Sequence, residues 1–285
     1  MLIVDVSMLV RRCFARMDFL KNSTGVPTGL EYGTMRSLEM LKKVYPDQEI
    51  VLCYDSRHNY KRDADPNYKA GRVSPGKEFY KRFNEFKKFL GCLYPSVKKE
   101  GYEADDLMFT IAMTTPGPHL LYTNDKDLLQ AVSKDVTQLK SFHSKLFIWD
   151  KDKVWEEYGV TPKMLPVYFA FVGDAVDNII GVPRINKKFL ASLIMWADEN
   201  GMMIDEMLHE IANAKWSLNM RALIEDFIDN GQWQRNYDLI KLKVTSYQIR
   251  HAVVDDTFVI AMLKHWEIYA LGLSKKYNLI SNEEF

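Results

Sequence analysis

The stretch GYEADDL (101–107) sets Glu103, Asp105 and Asp106 directly ahead of MFTIAM, an apolar run with helical spacing. One or two acids at a helix mouth are ordinary, because unpaired N–H groups and the helix dipole favour negative charge there. Three repel one another and call for a counter-charge. More acids fall where chain elements end: Asp5 after LIV, Asp55 after IVLCY, Asp125 and Asp127 in YTNDKD, and Asp174 and Asp177 in FVGDAVDN. Each has a plain structural reading. Asp125 can cap DLLQAV, GDAVDN can form a turn with a cap, and Asp5 and Asp55 can face water at strand ends. Nine such carboxylates on one rim would either destabilise the fold or stay protonated unless cations sit among them. All-oxygen ligation suits Mg²⁺ or Mn²⁺. Two such ions roughly 3.5–4 Å apart can activate a water and stabilise the leaving oxygen of a phosphodiester.

Other chemistries lack their residues. There is no GxxxxGK[ST], HExxH or GxSxG, and the six histidines are scattered without metal-ligand spacing. Cys13, Cys53 and Cys92 lie far apart with no CxxC, which argues against zinc or a disulfide framework and suits a reducing cytoplasm. The start, MLIVDVSMLV, carries an acid inside its apolar run and does not read as a signal peptide, and no uncharged stretch has the length of a membrane span.

The elements that must position these acids follow from periodicity. LIVDV (2–6), IVLCYD (50–55), HLLYT (119–123) and KLFIWD (145–150) read as strands, the first three as buried parallel ones. Helical spacing occupies Leu30–Val44, Phe79–Leu90, Asp105–Met113 and Leu128–Val132. Alternation of this kind predicts an α/β fold with a mostly parallel central sheet flanked by helices. Its ligand crevice would lie outside the carboxyl ends of the strands, where Asp5, Asp55, Asp125 and Asp127 converge. After Tyr158 only helical patterns remain: Met164–Val172, Lys187–Trp196, Ile204–Ile211, Met220–Ile228 and Phe258–Leu271. A boundary near GVTP (159–162) therefore separates an α/β unit, 1–157, from a helical region, 158–285, ending in the frayed tail SNEEF.

Net charge is zero over 285 residues, with 38 basic and 38 acidic side chains, yet the distribution is uneven. Between Arg57 and Lys99 stand twelve Lys/Arg and only four acids, a surplus of eight positive charges. Such a block fits a phosphate-rich partner.

Taken in order, LIVDVSMLVRRCFA (2–15), VLCYDS (51–56), DPNYKAGR (65–72), GYEADDLMFTIA (101–112), YTNDKDLLQAV (122–132), YGVTPKMLPVYFAFVGDAVDNIIGVP (158–183) and RNYDLIKL (235–242) resemble the flap endonuclease superfamily. The similarity is to phage 5′–3′ exonucleases and the 5′-nuclease domain of bacterial DNA polymerases, over about residues 2–245. The resemblance implies a two-metal, structure-specific 5′ nuclease acting on DNA with a 5′ end, flap or nick. It implies a monomer with no membrane association, in the cytoplasm of a bacterium or phage-infected host. Asp55, Glu103, Asp105 and Asp106 would serve the first metal, with Asp5 acting largely through water; Asp125, Asp127, Asp174 and Asp177 would serve the second. Lys69 and Arg72 match the family's active-site cations, and three apart on a helix they would both face the scissile phosphate. A helical arch over about 69–99 would pass a single-stranded 5′ end, with Lys81 and Arg82 on DNA. Phe79, Tyr80, Phe83 and Phe86 could stack on bases or form a core face.

The resemblance also implies a helix-hairpin-helix-like element over about 173–196 that would hold duplex backbone, and K⁺ with it. Here the family's Gly-x-Gly is replaced by Arg184-Ile185-Asn186, followed by Lys187-Lys188. A Cβ at Arg184 obstructs close backbone approach, so side chains of Arg184, Lys187 and Lys188 would take over the phosphate contacts. A non-catalytic DNA-binding protein on the same scaffold is the alternative; its mark would be missing carboxylates. A small-molecule phosphatase would share the acids but leave the basic block unexplained.

Overall fold

The runs LIVD (2–5) and IVLCY (50–54) are buried on both sides, and the computed structural model shows why. It describes residues 1–142, 145–269, 271–277 and 279, so the tail SNEEF lies outside the described residues. In chain order the elements are β1 (Leu2–Asp5), α1 (Val6–Met17), α2 (Gly29–Val44), β2 (Ile50–Tyr54), α3 (Tyr60–Ala64), α4 (Lys77–Gly91), β3 (Ser96–Lys98) and α5 (Ala104–Thr114). They continue with β4 (His119–Tyr122), a 3₁₀ turn (Asp127–Ala131), β5 (Val136–Phe142), β6 (Lys145–Trp149), α6 (Lys151–Tyr158), a second 3₁₀ turn (Pro162–Met164), α7 (Leu165–Val172) and α8 (Lys187–Glu199). Last come α9 (Ile204–Asn213), α10 (Leu218–Asp229), α11 (Gln232–Ile240), α12 (Asp256–Trp266) and α13 (Gly272–Lys276).

The sheet runs β3-β2-β1-β4-β5-β6, parallel except for the antiparallel edge strand β6. Leu2, Val4, Leu52 and Tyr122 point to one face, which α1, α2, α4 and α12 cover; Ile3, Val51, Cys53 and Leu121 point to the other, under α5. Burial on both faces explains the unbroken apolar runs in β1 and β2. The chain order changes direction at β1, whose neighbours are β2 and β4, so the crevice expected at such a switch opens beside Asp5.

The expected α/β fold holds, with additions. β3 and β5 were not legible as strands. β5 (VTQLKSF) is half polar because Gln138 is buried for a hydrogen-bonding reason described below. Val6, read as strand, begins α1, since Asp5 accepts from Met8 N and caps it. The expected helix Phe258–Leu271 stops at Trp266, where Glu267 turns left-handed (φ 53°).

A third core gathers α6 to α11 around Phe171, Trp233 and Ile194, and takes in Tyr68, Leu129 and Val132 from the first part of the chain. Between Thr245 and Trp266 the chain then returns to the α/β unit. Thr245 N donates to Thr110 Oγ1 (3.1 Å), Arg250 bridges Ser96, and Trp266 packs on Phe86 and Phe89 at 5.6 and 5.0 Å.

Candidate active site

Five of the nine rim carboxylates commit an oxygen to a backbone N–H. Asp5 accepts from Met8 (2.8 Å), Asp55 from Ala104 (3.0 Å), Asp106 from Glu103 (3.3 Å), Asp125 from Asp127 (2.9 Å) and Asp174 from Val176 (2.9 Å). The capping roles are therefore real, and they fix where the remaining oxygens point. Thr123 Oγ1 links two strand ends, donating to Asp5 (3.4 Å) and accepting from Asp125 N (3.1 Å). Gln138 Nε2 ties the Asp125 loop to β5 through Thr123 O (3.1 Å) and Asp125 O (2.6 Å).

A second group is held by cations. Lys69 Nζ lies 2.6 Å from Glu103 Oε1 and 3.8 Å from Asp177 Oδ2; Arg72 lies 2.5 Å from Asp177 Oδ1; Lys126 lies 3.1 Å from Asp174. Lys61, 1% exposed, sits beneath α5 at 3.6 Å from Glu103 and 4.0 Å from Asp106. The Tyr68 hydroxyl adds bonds to Glu103 (3.2 Å) and Asp177 (3.5 Å). Burial alone would push the Glu103 carboxyl up, but Lys69 and Lys61 hold it down at about 2.

Asp105 and Asp127 form the third group. Each has a buried Oδ1 with no hydrogen-bond partner. Burial, then the neighbouring Asp125, pushes both carboxyls well above the usual range. Asp5 is raised to about 7 by burial and by Asp55. Among the described residues no three His, Cys, Asp or Glu side chains form a ready metal-holding cluster. The donor chemistry still fits hard divalent cations: all oxygen, partly orphaned, and charged only at a cost that a cation would remove.

Against this rim lies a cleft of about 710 Å³ lined by Asp55 and Glu103 and by Arg11, Arg62, Lys69, Arg72, Lys87 and Lys98.

Comparison with known proteins follows from this geometry. Residues 1–159 match the family described as 5′-3′ exonuclease, N-terminal resolvase-like domain. The chain belongs to the 5′-3′ exonuclease family. It is 33% identical over 199 residues to a 5′-3′ exonuclease of Aquifex aeolicus, covering 67% of this chain and 68% of that one. It is 31% identical over 199 residues to DNA polymerase I of Pseudomonas aeruginosa, covering 68% of this chain but spanning only 22% of that longer protein. In structure it is similar to the phage T5 D15 protein co-crystallised with metal ions (TM-score 0.66, 17% identity, 85% of this chain and 89% of that one). It is also similar to the catalytic core of Rad2 in complex with DNA substrate (TM-score 0.56, 17% identity, 98% of this chain and 91% of that one).

Several expectations for this exonuclease-family chain are corrected by its side chains. Lys69 and Arg72 are not on a helix: they sit in a turn, with Lys69 left-handed (φ 56°), held by Lys69 N to Asp177 O (3.0 Å) and Arg72 N to Lys69 O (3.2 Å). Arg82 does not face DNA. It is buried, pairing with Glu31 (2.7 Å) and Asp18 (2.5 Å). Phe79, Phe83 and Phe86 are core, spaced to lay α4 on the sheet, whereas Tyr80 is 44% exposed. Lys81 is exposed. In the hairpin Arg184 itself takes the left-handed turn (φ 58°), while Asn186 stays at φ −72° and caps α8 by accepting from Phe189 N (3.1 Å). Arg184, Lys187 and Lys188 are exposed beside that cap.

Lys61, Tyr68, Gln138 and Lys126 were not singled out. Tyr68 adjoins Lys69 inside the matched NYKAGR motif, a usable signal. Nothing in the spacing distinguishes a buried Lys61 from its exposed neighbour Arg62.

Proposed function

We propose that this chain is a divalent-metal-dependent 5′ nuclease that hydrolyses DNA phosphodiesters near a 5′ end, flap or nick. The observation that carries the reading is the junction of an acid-rich rim with a basic cleft, so that a phosphate in the cleft lies beside the carboxylates. The T5 and Rad2 relatives, crystallised with metal ions and with DNA substrate, support it.

Asp5, Asp55, Glu103, Asp105 and Asp106 on one side, and Asp125, Asp127, Asp174 and Asp177 on the other, would hold two Mg²⁺ or Mn²⁺ ions. When bound, such ions supply an activated water and stabilise the leaving oxygen. The chain's own residues bind and orient. Arg62, Lys87 and Lys98 draw the sugar-phosphate backbone into the cleft, and Tyr80 offers a ring to an unpaired base. Lys69 and Arg72 line the same cleft and stabilise charge building on the phosphate. Arg184, Lys187 and Lys188, at the helix start of α8, hold the duplex by side-chain contacts. The Cβ of Arg184 would crowd a backbone-lined K⁺ site, so the duplex contact there is assigned to side chains.

A labelled 5′ flap on duplex DNA tests the reading. Cleavage should require Mg²⁺ or Mn²⁺, stop in EDTA, and nearly stop in Ca²⁺ while DNA remains bound. Robust cleavage in excess EDTA would overturn the metal mechanism. Binding without cleavage under any cation would favour the non-catalytic alternative, and preference for mononucleotides would favour a phosphatase.

A further inference from the structure

We propose that Lys69 and Arg72 are built-in counter-ions of the metal site, which an arriving divalent cation displaces into the DNA cleft. This rests on the metal-dependent reading above and adds a regulation to it: the cleft's innermost cations, paired with Glu103 and Asp177 here, are freed for DNA only once the metal is loaded.

Four observations carry the inference. First, Lys69 Nζ lies between carboxylates of two separate elements, 2.6 Å from Glu103 on the lip of α5 and 3.8 Å from Asp177 in the 174–179 turn. Arg72 occupies the other Asp177 oxygen at 2.5 Å. A divalent ion that uses Glu103 or Asp177 must therefore replace an ammonium or a guanidinium already there. Second, the displaced groups have somewhere to go, because both residues line the 710 Å³ cleft. Lys61 pairs with the same Glu103 but is 1% exposed and does not line that cleft, so it stays. Third, the backbone that carries them is anchored independently of their side chains. Lys69 N donates to Asp177 O (3.0 Å), Asn178 Nδ2 donates to Asn67 O (3.0 Å), and Asp65 takes Arg235 Nε and Nη2 at 3.0 and 2.5 Å. Exchange is thus a side-chain rotation on a fixed turn. Fourth, Glu103 keeps Lys61 and the Tyr68 hydroxyl when Lys69 leaves, so its carboxylate is never stranded in a buried site.

The consequence is reciprocal. A cation that competes with metal for one carboxylate lowers metal affinity, and a phosphate that holds the displaced cation in the cleft raises it by the same factor. Metal loading and capture of the DNA strand would then reinforce each other.

The test needs no cleavage. Ca²⁺ is titrated calorimetrically into DNA-free wild-type protein, Lys69→Ala and Lys69→Arg. Lys69→Ala should bind Ca²⁺ tighter, on the order of tenfold, while Lys69→Arg, which can still hold Glu103, stays near wild type. In parallel, lysine acylation of the wild-type protein is mapped by mass spectrometry with EDTA and with Ca²⁺. Lys69, 5% exposed, should be protected in EDTA and reactive in Ca²⁺, with Lys61 protected in both. If Lys69 were only a structural brace, its removal would weaken Ca²⁺ binding and its labelling would not change; either result overturns the proposal. The labelling arm needs no variant, so a misfolded Lys69→Ala leaves the question decidable. Wild-type protein that binds no Ca²⁺ would instead sink the metal-dependent reading itself, and this inference with it.

Discussion

Asp105 and Asp127 carry the site's largest uncompensated cost, since each presents a buried Oδ1 without a partner while its neighbours are also acids. Their carboxyls are raised, so the folded state holds protons that the unfolded chain has already released above its ordinary carboxylate range. Stability without metal should accordingly fall as pH rises from the ordinary carboxylate range upward, where the unfolded chain ionises first. Asp105→Asn and Asp127→Asn should leave the melting temperature in EDTA unchanged at a pH below the ordinary carboxylate range, where the folded and the unfolded chain both hold the proton. Near pH 8 they should raise it by several degrees, at roughly 2–4 °C per kcal/mol for a chain of this size. Flap cleavage should drop at least ~100-fold in both, as for loss of a group that acts on transition-state charge. A pH-independent shift in melting temperature would refute this charge assignment. The acids could be read from the sequence because each marks the end of an apolar run or the mouth of a helix. Gln138 and Lys61 could not: their value lies in what they touch, and a buried amide or ammonium has the same spacing as an exposed one.

At the scale of elements, α4 shows how one basic, aromatic segment divides its labour. Phe79, Phe83, Phe86 and Phe89 follow helical spacing and bury against the sheet, which leaves Tyr80, Lys81 and Lys88 outward. The same spacing was equally consistent with a stacking face in the sequence; contacts of Phe79 with Phe14, of Phe83 with Tyr54, and of Phe86 with Trp266 from α12 decide for the core. Arg82 lies on the buried side and is held there by Glu31, itself 2% exposed, and by Asp18. Its removal strands the Glu31 carboxylate, already raised by burial despite the Arg82 bonds. Arg82→Ala should therefore cost about 3–5 kcal/mol in urea unfolding, the usual price of breaking a buried pair. Replacing Glu31 and Arg82 together with apolar residues should recover much of it. If Arg82 instead contacted DNA, the single variant would lose affinity with little loss of stability. β5 and α1 escaped the sequence for related reasons: β5 hides a buried, hydrogen-bonded glutamine inside a half-polar strand, and α1 follows β1 without a turn because Asp5 both ends the strand and caps the helix.

For the molecule as a whole, zero net charge conceals a division into an acidic rim, a basic cleft beside it and a second basic point at the start of α8. The sequence showed the first two through clustering and the third through the residues that replace the expected glycines. It did not show that the final segment recrosses to the sheet, because extended backbone at 241–255 has no periodicity to announce its contacts with Lys99, Thr110 and Ser96. A DNA that enters the cleft with its 5′ strand would reach α8 with its duplex part, if the two basic points serve one substrate. In the hairpin Arg184 takes the left-handed turn, and its Cβ keeps the backbone N–H groups from approaching a phosphate as closely as glycines would allow. Lys187 and Lys188 are exposed in the first turn of α8, a turn that carries no acid to oppose an anion there. Each is thus placed to displace counterions from one duplex phosphate. Replacing both with Ala should weaken binding to a flap substrate and reduce the slope of log K against log salt by about one to two units, since each lost phosphate contact removes about 0.9. Affinity for a short single strand, which would occupy the cleft, should stay the same. An unchanged slope, or an equal loss for the single strand, would place the duplex elsewhere on the protein.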